Sequence, residues 1–340
     1  MVNRMNKINY IKINTKNLLD NIYYIKNNYS YDYYILDVSN EAFFHGMYLI
    51  KYLKDQIDFL YVHDFTDLLL IRKYEQDFPV IYDGEIHEDN VYDLIMNNAT
   101  VVIHEIDTLQ MIRSLQIKDI LSFVFYIDPT GIYGIHSKQD ILDYLEWDDQ
   151  YLQLLGVMAN IEEKDYDDFK YIIRPLSNSK LMILNHEEDK RKIQGSNAIK
   201  LDYSIYGINQ TKKKMFQKKD MPLKQVFSLN SKVIAIKSST NNKKVKYTAV
   251  IPVGYHHGMS DSIKYIFIKG KLYLVEKIYN EFMYVSVDCE VKKDMDVEIT
   301  SCHNPLENYY ISQTLNYLGL FYSHIPIIFD DYVLEKTLIY

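Results

Sequence analysis

Eight short runs rich in β-branched, apolar and aromatic residues recur through the first 203 residues, at 33–36, 59–62, 79–82, 100–103, 123–127, 153–158, 180–184 and 199–203. Each is short and bounded by polar or turn-forming residues, so each reads as a strand buried on both faces. Between most of them lie stretches with apolar residues at helical spacing, such as 66–74, 87–97, 106–115 and 138–145. Strands covered on both faces by intervening helices make a parallel sheet, and eight such units over about 200 residues suffice to close it into a (β/α)8 barrel. Such a barrel carries its chemistry at the C-terminal ends of its strands, where Ser39, Asp128, Asn160, Asn185 and Asp202 fall.

Beyond residue 203 the pattern changes. Lys212, Lys213, Lys214, Lys218 and Lys219 precede Pro222 and read as a solvated linker, since the run is short and carries no interleaved aromatics. Past it, strand follows strand at 232–237, 245–253, 265–268, 272–275, 283–287 and 296–300, so a second, mostly β domain follows the barrel.

Charge and composition narrow the partners. A net charge of −8 in 340 residues gives no basic face, so neither nucleic acid nor an anionic membrane surface is expected. No apolar run reaches membrane-spanning length, and Met1-Val2-Asn3-Arg4-Met5-Asn6 has no apolar signal core, so the cytoplasm is the expected compartment. Two cysteines, Cys289 and Cys302, support neither a disulfide framework nor a thiolate metal site. His256 and His257 are adjacent and would point apart in a strand or turn, so no metal site is expected there either. The 33 tyrosines read as compositional bias and aromatic core.

One segment carries a specific resemblance. Asp37-Val38-Ser39-Asn40-Glu41-Ala42-Phe43-Phe44-His45-Gly46 is similar to the turn after the first barrel strand of the alanine racemases, fold-type III enzymes that hold pyridoxal phosphate on a lysine in the pattern Lys-Ala-Asn/Asp-Ala-Tyr-Gly-His-Gly. Registered on Ala42 and His45-Gly46, Ser39 stands where the lysine should be and Phe43 where the tyrosine should be, and no lysine lies between Lys26 and Lys51. Other segments resemble the family in order. They are Ile11-Lys12-Ile13-Asn14 with Leu18-Leu19-Asp20-Asn21-Ile22, the stretch 58–72, Leu155-Gly156-Val157-Met158-Ala159-Asn160, Lys200 to Gly207, Pro222 to Ile234, and Val250 to Gly258. The resemblance implies a first strand in 1–14 that packs with the C-terminal β domain, a barrel at 15–210, a linker at 211–221 and the β domain at 222–340. It also implies a head-to-tail homodimer, or a dimer with a related racemase chain, in which each β domain reaches over the partner's barrel mouth.

The family's chemistry abstracts the α-proton of an amino acid once its amine is joined to the cofactor, which acts as an electron sink. The lysine serves one face of Cα and a tyrosine from the partner chain serves the other. Val245-Lys246-Tyr247 resembles the Val-Ser-Tyr that carries this tyrosine, so Tyr247 is the candidate remnant base. Tyr255 matches the tyrosine at the site entrance and Asp288 the aspartate of Cys-Met-Asp. The cofactor anchors depart from the family. Lys200 replaces the arginine at the pyridine nitrogen, which keeps the charge but loses the planar fork. Asp202 and Tyr203 stand where two backbone amides cradle the phosphate, Asn185-His186-Glu187-Glu188 replaces Asn-Ser, and Asn160 replaces a histidine. Tyr133 stands in place of the arginine that follows Asp128-Pro129-Thr130-Gly131. An anion site has therefore gained negative charge and lost positive charge.

Three functional readings follow from these residues. The first is a non-catalytic or impaired racemase homologue that acts as a binding, regulatory or partner subunit, with pyridoxal phosphate lost. The second is a working pyridoxal-phosphate racemase of alanine or another amino acid, supplying D-alanine for the cell wall, with Tyr247 and an unrecognised base. The third is a barrel repurposed for another ligand, with His45, Asp128, His186 and the His256-His257 pair as candidate groups.

Overall fold

The computed structural model describes residues 8–147, 149–161, 163–185, 194–207, 223–241, 244–261, 263–303 and 327–329. It divides into two compact units, one made of 25–42 and 47–202, the other of 1–24, 43–46 and 203–340. The lysine run and the proposed linker at 211–221 lie outside the described residues, as do His186, Glu187 and Glu188.

After β1 (Tyr10–Ile13), which belongs to the second unit, the chain builds a closed barrel of parallel strands. These are β2 (Tyr33–Asp37), β3 (Phe59–Val62), β4 (Val80–Tyr82), β5 (Ala99–Ile103), β6 (Leu121–Tyr126), β7 (Leu152–Asn160), β8 (Leu181–Asn185) and β9 (Ala198–Leu201). The helix α1 (Thr15–Asn28) leads into β2, and α2 (Ser39–Phe44) and α3 (Ile50–Leu53) lie between β2 and β3. The following crossovers carry α4 (Phe65–Tyr74), α5 (Val91–Met96), α6 (Ile106–Ser114), α7 (Lys138–Leu145) and α8 (Tyr166–Ile173). Closure is made by β2 against β9, from Tyr33 opposite Ala198 to Leu36 opposite Leu201.

The strands are short and apolar on both faces, which is the pattern that reads as eight runs in the sequence. Their interior is filled rather than hollow. Ile35, Tyr61, Ile81, Val102, Val124, Met158, Ile183 and Ala198, one from each strand, form a single buried cluster. Packing of this kind rigidifies the barrel and fixes where the strand ends point. A backbone carbonyl sets one close approach: a Cβ on Gly84, just past β4, would meet His63 O at 2.3 Å.

Among the described residues the second unit forms a nine-stranded sheet in the order β11-β12-β15-β14-β13-β16-β10-β1-β17. Its strands are β10 (Phe227–Lys232), β11 (Ala235–Asn241), β12 (Lys244–Ile251), β13 (Tyr265–Ile268), β14 (Lys271–Ile278), β15 (Met283–Val287), β16 (Asp296–Thr300) and β17 (Ile327–Phe329). β1 runs antiparallel to β10 and parallel to β17. The single strand expected at 232–237 is two. β10 stops at Lys232 because Val233 N–H turns to Met295 O at 2.9 Å and Ile234 N–H to Val250 O at 3.0 Å. The architecture is thus a (β/α)8 barrel followed by a mostly β domain.

Candidate functional site

The turn after β2 is unusual in its backbone. Asn40, Glu41, Ala42 and Phe43 have φ of 52°, 52°, 57° and 50°, a left-handed helical turn built without glycine. L-residues in this region cost about 1–2 kcal/mol each, so the turn persists only where neighbours hold it. Asp67, buried in the first turn of α4, accepts Asn40 N–H at 2.7 Å and Glu41 N–H at 3.1 Å. Burial pushes the Asp67 carboxyl above its ordinary value, against these two hydrogen bonds, which pull it down. Val38 O accepts Ala42 N–H at 2.7 Å, and Asp37 Oδ1 accepts Ser39 N–H at 3.0 Å. Ser39 opens this turn. It is only 2% exposed, and its buried Oγ meets no hydrogen-bond partner.

Inside the barrel mouth, Lys200 of β9 points its Nζ to Asp37 Oδ2 at 3.4 Å and lies 3.9 Å from the centroid of the Tyr61 ring. Tyr61 in turn donates its hydroxyl to Asp83 Oδ2. Burial first, then the charge and hydrogen bond of Asp83 and the charge of Asp37, push the Tyr61 phenol well above its ordinary value, so it stays protonated. Asp83, just past β4, also accepts from His104 Nε2 at 2.6 Å. A carboxylate can only accept, so this contact places a proton on Nε2. His104 Nδ1 is buried and meets no hydrogen-bond partner.

Two tyrosines, themselves 6.2 Å apart, pack against that imidazole. Tyr126 of β6 lies 4.7 Å away at 33° between planes, and Tyr133 lies 4.3 Å away at 30°. Tyr133 is held by Asp128, whose carboxylate accepts N–H groups of Thr130 at 2.9 Å, Ile132 at 3.0 Å and Tyr133 at 2.8 Å, and the Thr130 hydroxyl at 2.7 Å. Burial raises the Asp128 carboxyl, but hydrogen bonds from Tyr133, Thr130 and Ile132 together hold it below the ordinary value. Asp128 is therefore the anchor of the 128–134 loop. Gly134 closes it at φ 138°, where a Cβ would meet the Tyr126 ring at 2.8 Å. Asn160, last in β7, donates its side-chain amide to the Tyr126 hydroxyl at 3.4 Å.

The remaining sequence-derived positions divide between the units. Asp202 directly follows β9, and Asn185 ends β8 with its side chain outside the described residues, as is that of Tyr203. Phe43 and His45 sit in the core of the second unit. His45 is 0% exposed, stacked on Tyr206 at 4.6 Å and edge-on to Phe227 at 5.4 Å, and Phe43 lies 5.7 Å from Tyr206. In the β unit Tyr247 lies within β12, opposite Ser238 and Val287. Tyr255 donates to Asp261 at 2.6 Å, and this bond, with burial, raises its phenol. Asp288 accepts from Tyr273 at 3.0 Å and from Glu290 N–H at 2.9 Å, with Lys271 Nζ at 3.6 Å. Burial raises the Asp288 carboxyl, and the Glu290, Tyr273 and Lys271 contacts bring it below its ordinary value. No group of three or more His, Cys, Asp or Glu among the described residues is placed to hold a metal ion.

Pyridoxal phosphate, as the family holds it, needs a lysine amine at the end of the first barrel strand and uncharged amides beside its phosphate. Position 39 offers a buried hydroxyl, the Lys200 ammonium faces Asp37 and the Tyr61 ring, and Asp202, directly after β9, puts a carboxylate where the resemblance expects a phosphate-binding amide. This donor set does not fit the group in that mode. Sequence reading missed Asp37, Tyr61, Asp83 and His104. Asp83 and His104 each stand one residue past a barrel strand, and that placement was the available signal.

No family model matches the chain. An alanine racemase of Borreliella burgdorferi (strain ZS7) is 23% identical over 335 residues, 86% of this chain and 88% of that protein. One from Halalkalibacterium halodurans is 22% identical over 254 residues, covering 64% and 65%. Among solved structures, alanine racemase of Clostridium difficile 630 superposes with a TM-score of 0.77 at 18% identity over 96% of this chain and 97% of its own. Alanine racemase from E. faecalis gives 0.79 at 14% identity over 97% and 100%. The chain has the alanine racemase fold, and its sequence is similar to alanine racemases along most of its length.

Proposed function

We propose that this alanine-racemase-like chain binds a small molecule in its barrel mouth and does not racemise amino acids on a lysine-held pyridoxal phosphate. The carrying observation is the Ser39 side chain, a buried hydroxyl without a partner at the family's attachment position. The acidic surroundings of the barrel mouth support the reading. Asp37 and Asp83 lie in it, and Glu85 and Glu105 add charge felt by the Tyr133 phenol, which burial and these groups together raise. A phosphate is disfavoured there. The visible spectrum of purified protein before and after addition of pyridoxal phosphate tests this: no new band in the visible range is expected, and a stoichiometric yellow species contradicts it.

The second reading, a working racemase, is favoured by one observation, the ammonium of Lys200 inside the barrel mouth. That lysine would take the attachment role from β9, with Tyr247 as the second base. Growth of a D-alanine auxotroph carrying only this gene would support it over the first.

Either reading carries a cytoplasmic protein acting as a head-to-tail homodimer, or paired with a related racemase chain. The nine-stranded sheet among the described residues supports this, since such an interface buries well over about 1,000 Å² and does not depend on position 39. No helix among the described residues is long and apolar enough to cross a membrane.

A further inference from the structure

The imidazole of His104 has one nitrogen satisfied and one not. Nε2–H donates to Asp83 at 2.6 Å, while Nδ1 is buried with no hydrogen-bond partner in a ring that packs against Tyr126 and Tyr133. A buried polar atom left unpaired is costly, and its natural complement is a ligand group. In the tautomer that carries its proton on Nε2, the ring presents Nδ1 as an acceptor, whose complement is a ligand donor.

The charge of that donor follows from Asp83. Its side chain is 11% exposed, and its partners are the Tyr61 hydroxyl, His104 and, at 3.9 Å, His63. Among the described residues it meets no lysine or arginine, so a nearly buried carboxylate lacks a permanent countercharge. Lys200 does not supply one, because its ammonium is directed to Asp37. A carboxylate behind an imidazole fixes its tautomer and favours positive charge arriving at the far nitrogen. Glu85 and Glu105 contribute to the same negative field at Tyr133.

We infer that the Asp83–His104 pair is a binding site for a small cationic amine without a carboxylate of its own, whose ammonium donates to His104 Nδ1 beneath the Tyr133 ring. The inference rests on the proposed non-racemising, ligand-binding role of the barrel mouth and supplies its ligand class. Tyr133 is 61% exposed and forms the solvent-facing wall of the site, on the 128–134 loop that Asp128 anchors. An amino acid would bring a carboxylate into this field and be rejected.

Calorimetric titration of the full-length protein with methylammonium and putrescine, against acetate and L-alanine, tests the inference. Either amine should bind, and His104→Gln or Asp83→Asn should weaken it roughly 10- to 100-fold, as expected for one lost hydrogen bond to a charged group. Because either variant risks misfolding, nitrogen NMR of the wild-type protein provides a second readout, with the His104 Nδ1 resonance expected to move on amine addition. Absence of binding by both amines, a static Nδ1 resonance, or binding of acetate or L-alanine in place of the amines overturns it. If the amines fail while pyridoxal phosphate still gives no yellow species, the amine site falls and the non-racemising reading stands. If a yellow species forms on a lysine, that reading itself falls.

Discussion

Lys200 Nζ faces Asp37 Oδ2 at 3.4 Å across the seam where β9 pairs with β2, the pairing that closes the barrel. Both side chains are largely out of solvent, at 18% and 7% exposure, and Asp37 also accepts Ser39 N–H. The pair therefore ties the last strand to the start of the left-handed turn. Removing the cation strands a carboxylate in low dielectric. Full burial would make that loss about 3–5 kcal/mol, and residual solvent access reduces it here to about 1–3 kcal/mol. Lys200→Met should lower the thermal midpoint accordingly, and a midpoint equal to wild type would show that the pair does not stabilise the seam.

Asp67 holds the turn that begins at Ser39. Asp67→Ala removes the side-chain acceptor of two part-buried N–H groups and the clamp on four left-handed residues, so a loss of roughly 1–3 kcal/mol is expected in denaturant titration. The pH dependence has a definite sign. Burial raises the folded-state value of Asp67 above its ordinary 3.8, so protons bind the folded state more tightly at this site. Its ionisation-linked contribution is full below 3.8 and is lost as pH rises through the raised value. Asp67→Asn cannot ionise, so the stability of wild type relative to this variant should fall with rising pH across that window.

Asp128 behaves in the opposite sense. Burial alone would raise its carboxyl, but the N–H groups of Tyr133, Thr130 and Ile132 and the Thr130 hydroxyl hold the folded-state value below 3.8. Its contribution is present above 3.8 and lost as pH falls through the depressed value. Asp128→Asn should cost about 1–2 kcal/mol at neutral pH, at the low end for several lost bonds because the site is partly solvated. The difference from wild type should shrink in acid, as read by thermal melts, and a difference that does not change with pH would remove the carboxylate from this role.

The barrel was legible because each of its strands is an apolar run of about the length a buried parallel strand needs, and 59–62 matches β3 residue for residue. The break between β10 and β11 was not, since the apolar run Val233-Ile234-Ala235-Ile236 carries no turn-forming residue and only the change of hydrogen-bond partner ends the strand. The left-handed turn was hidden for a different reason. Asn40-Glu41-Ala42-Phe43 contains no glycine, and its cost is offset by Asp67, a residue 27 positions from Asn40. Asp83 and His104 were hidden likewise: 21 residues separate them, and only the parallel pairing of β4 with β5 brings their strand ends together. Position 39 was legible as a missing lysine, yet its burial and unpaired hydroxyl required the fold.

The central claim is that no lysine of this barrel carries pyridoxal phosphate. It is tested most directly by incubating the full-length protein with the cofactor, reducing with borohydride and mapping the peptides by mass spectrometry. Position 39 carries no amine, and the ammonium of Lys200 is held between Asp37 and the face of Tyr61. The expected result is no stoichiometric pyridoxyl-lysine in any barrel peptide. A stoichiometric pyridoxyl group on Lys200, or on any other barrel lysine, would contradict the account and establish a relocated attachment site.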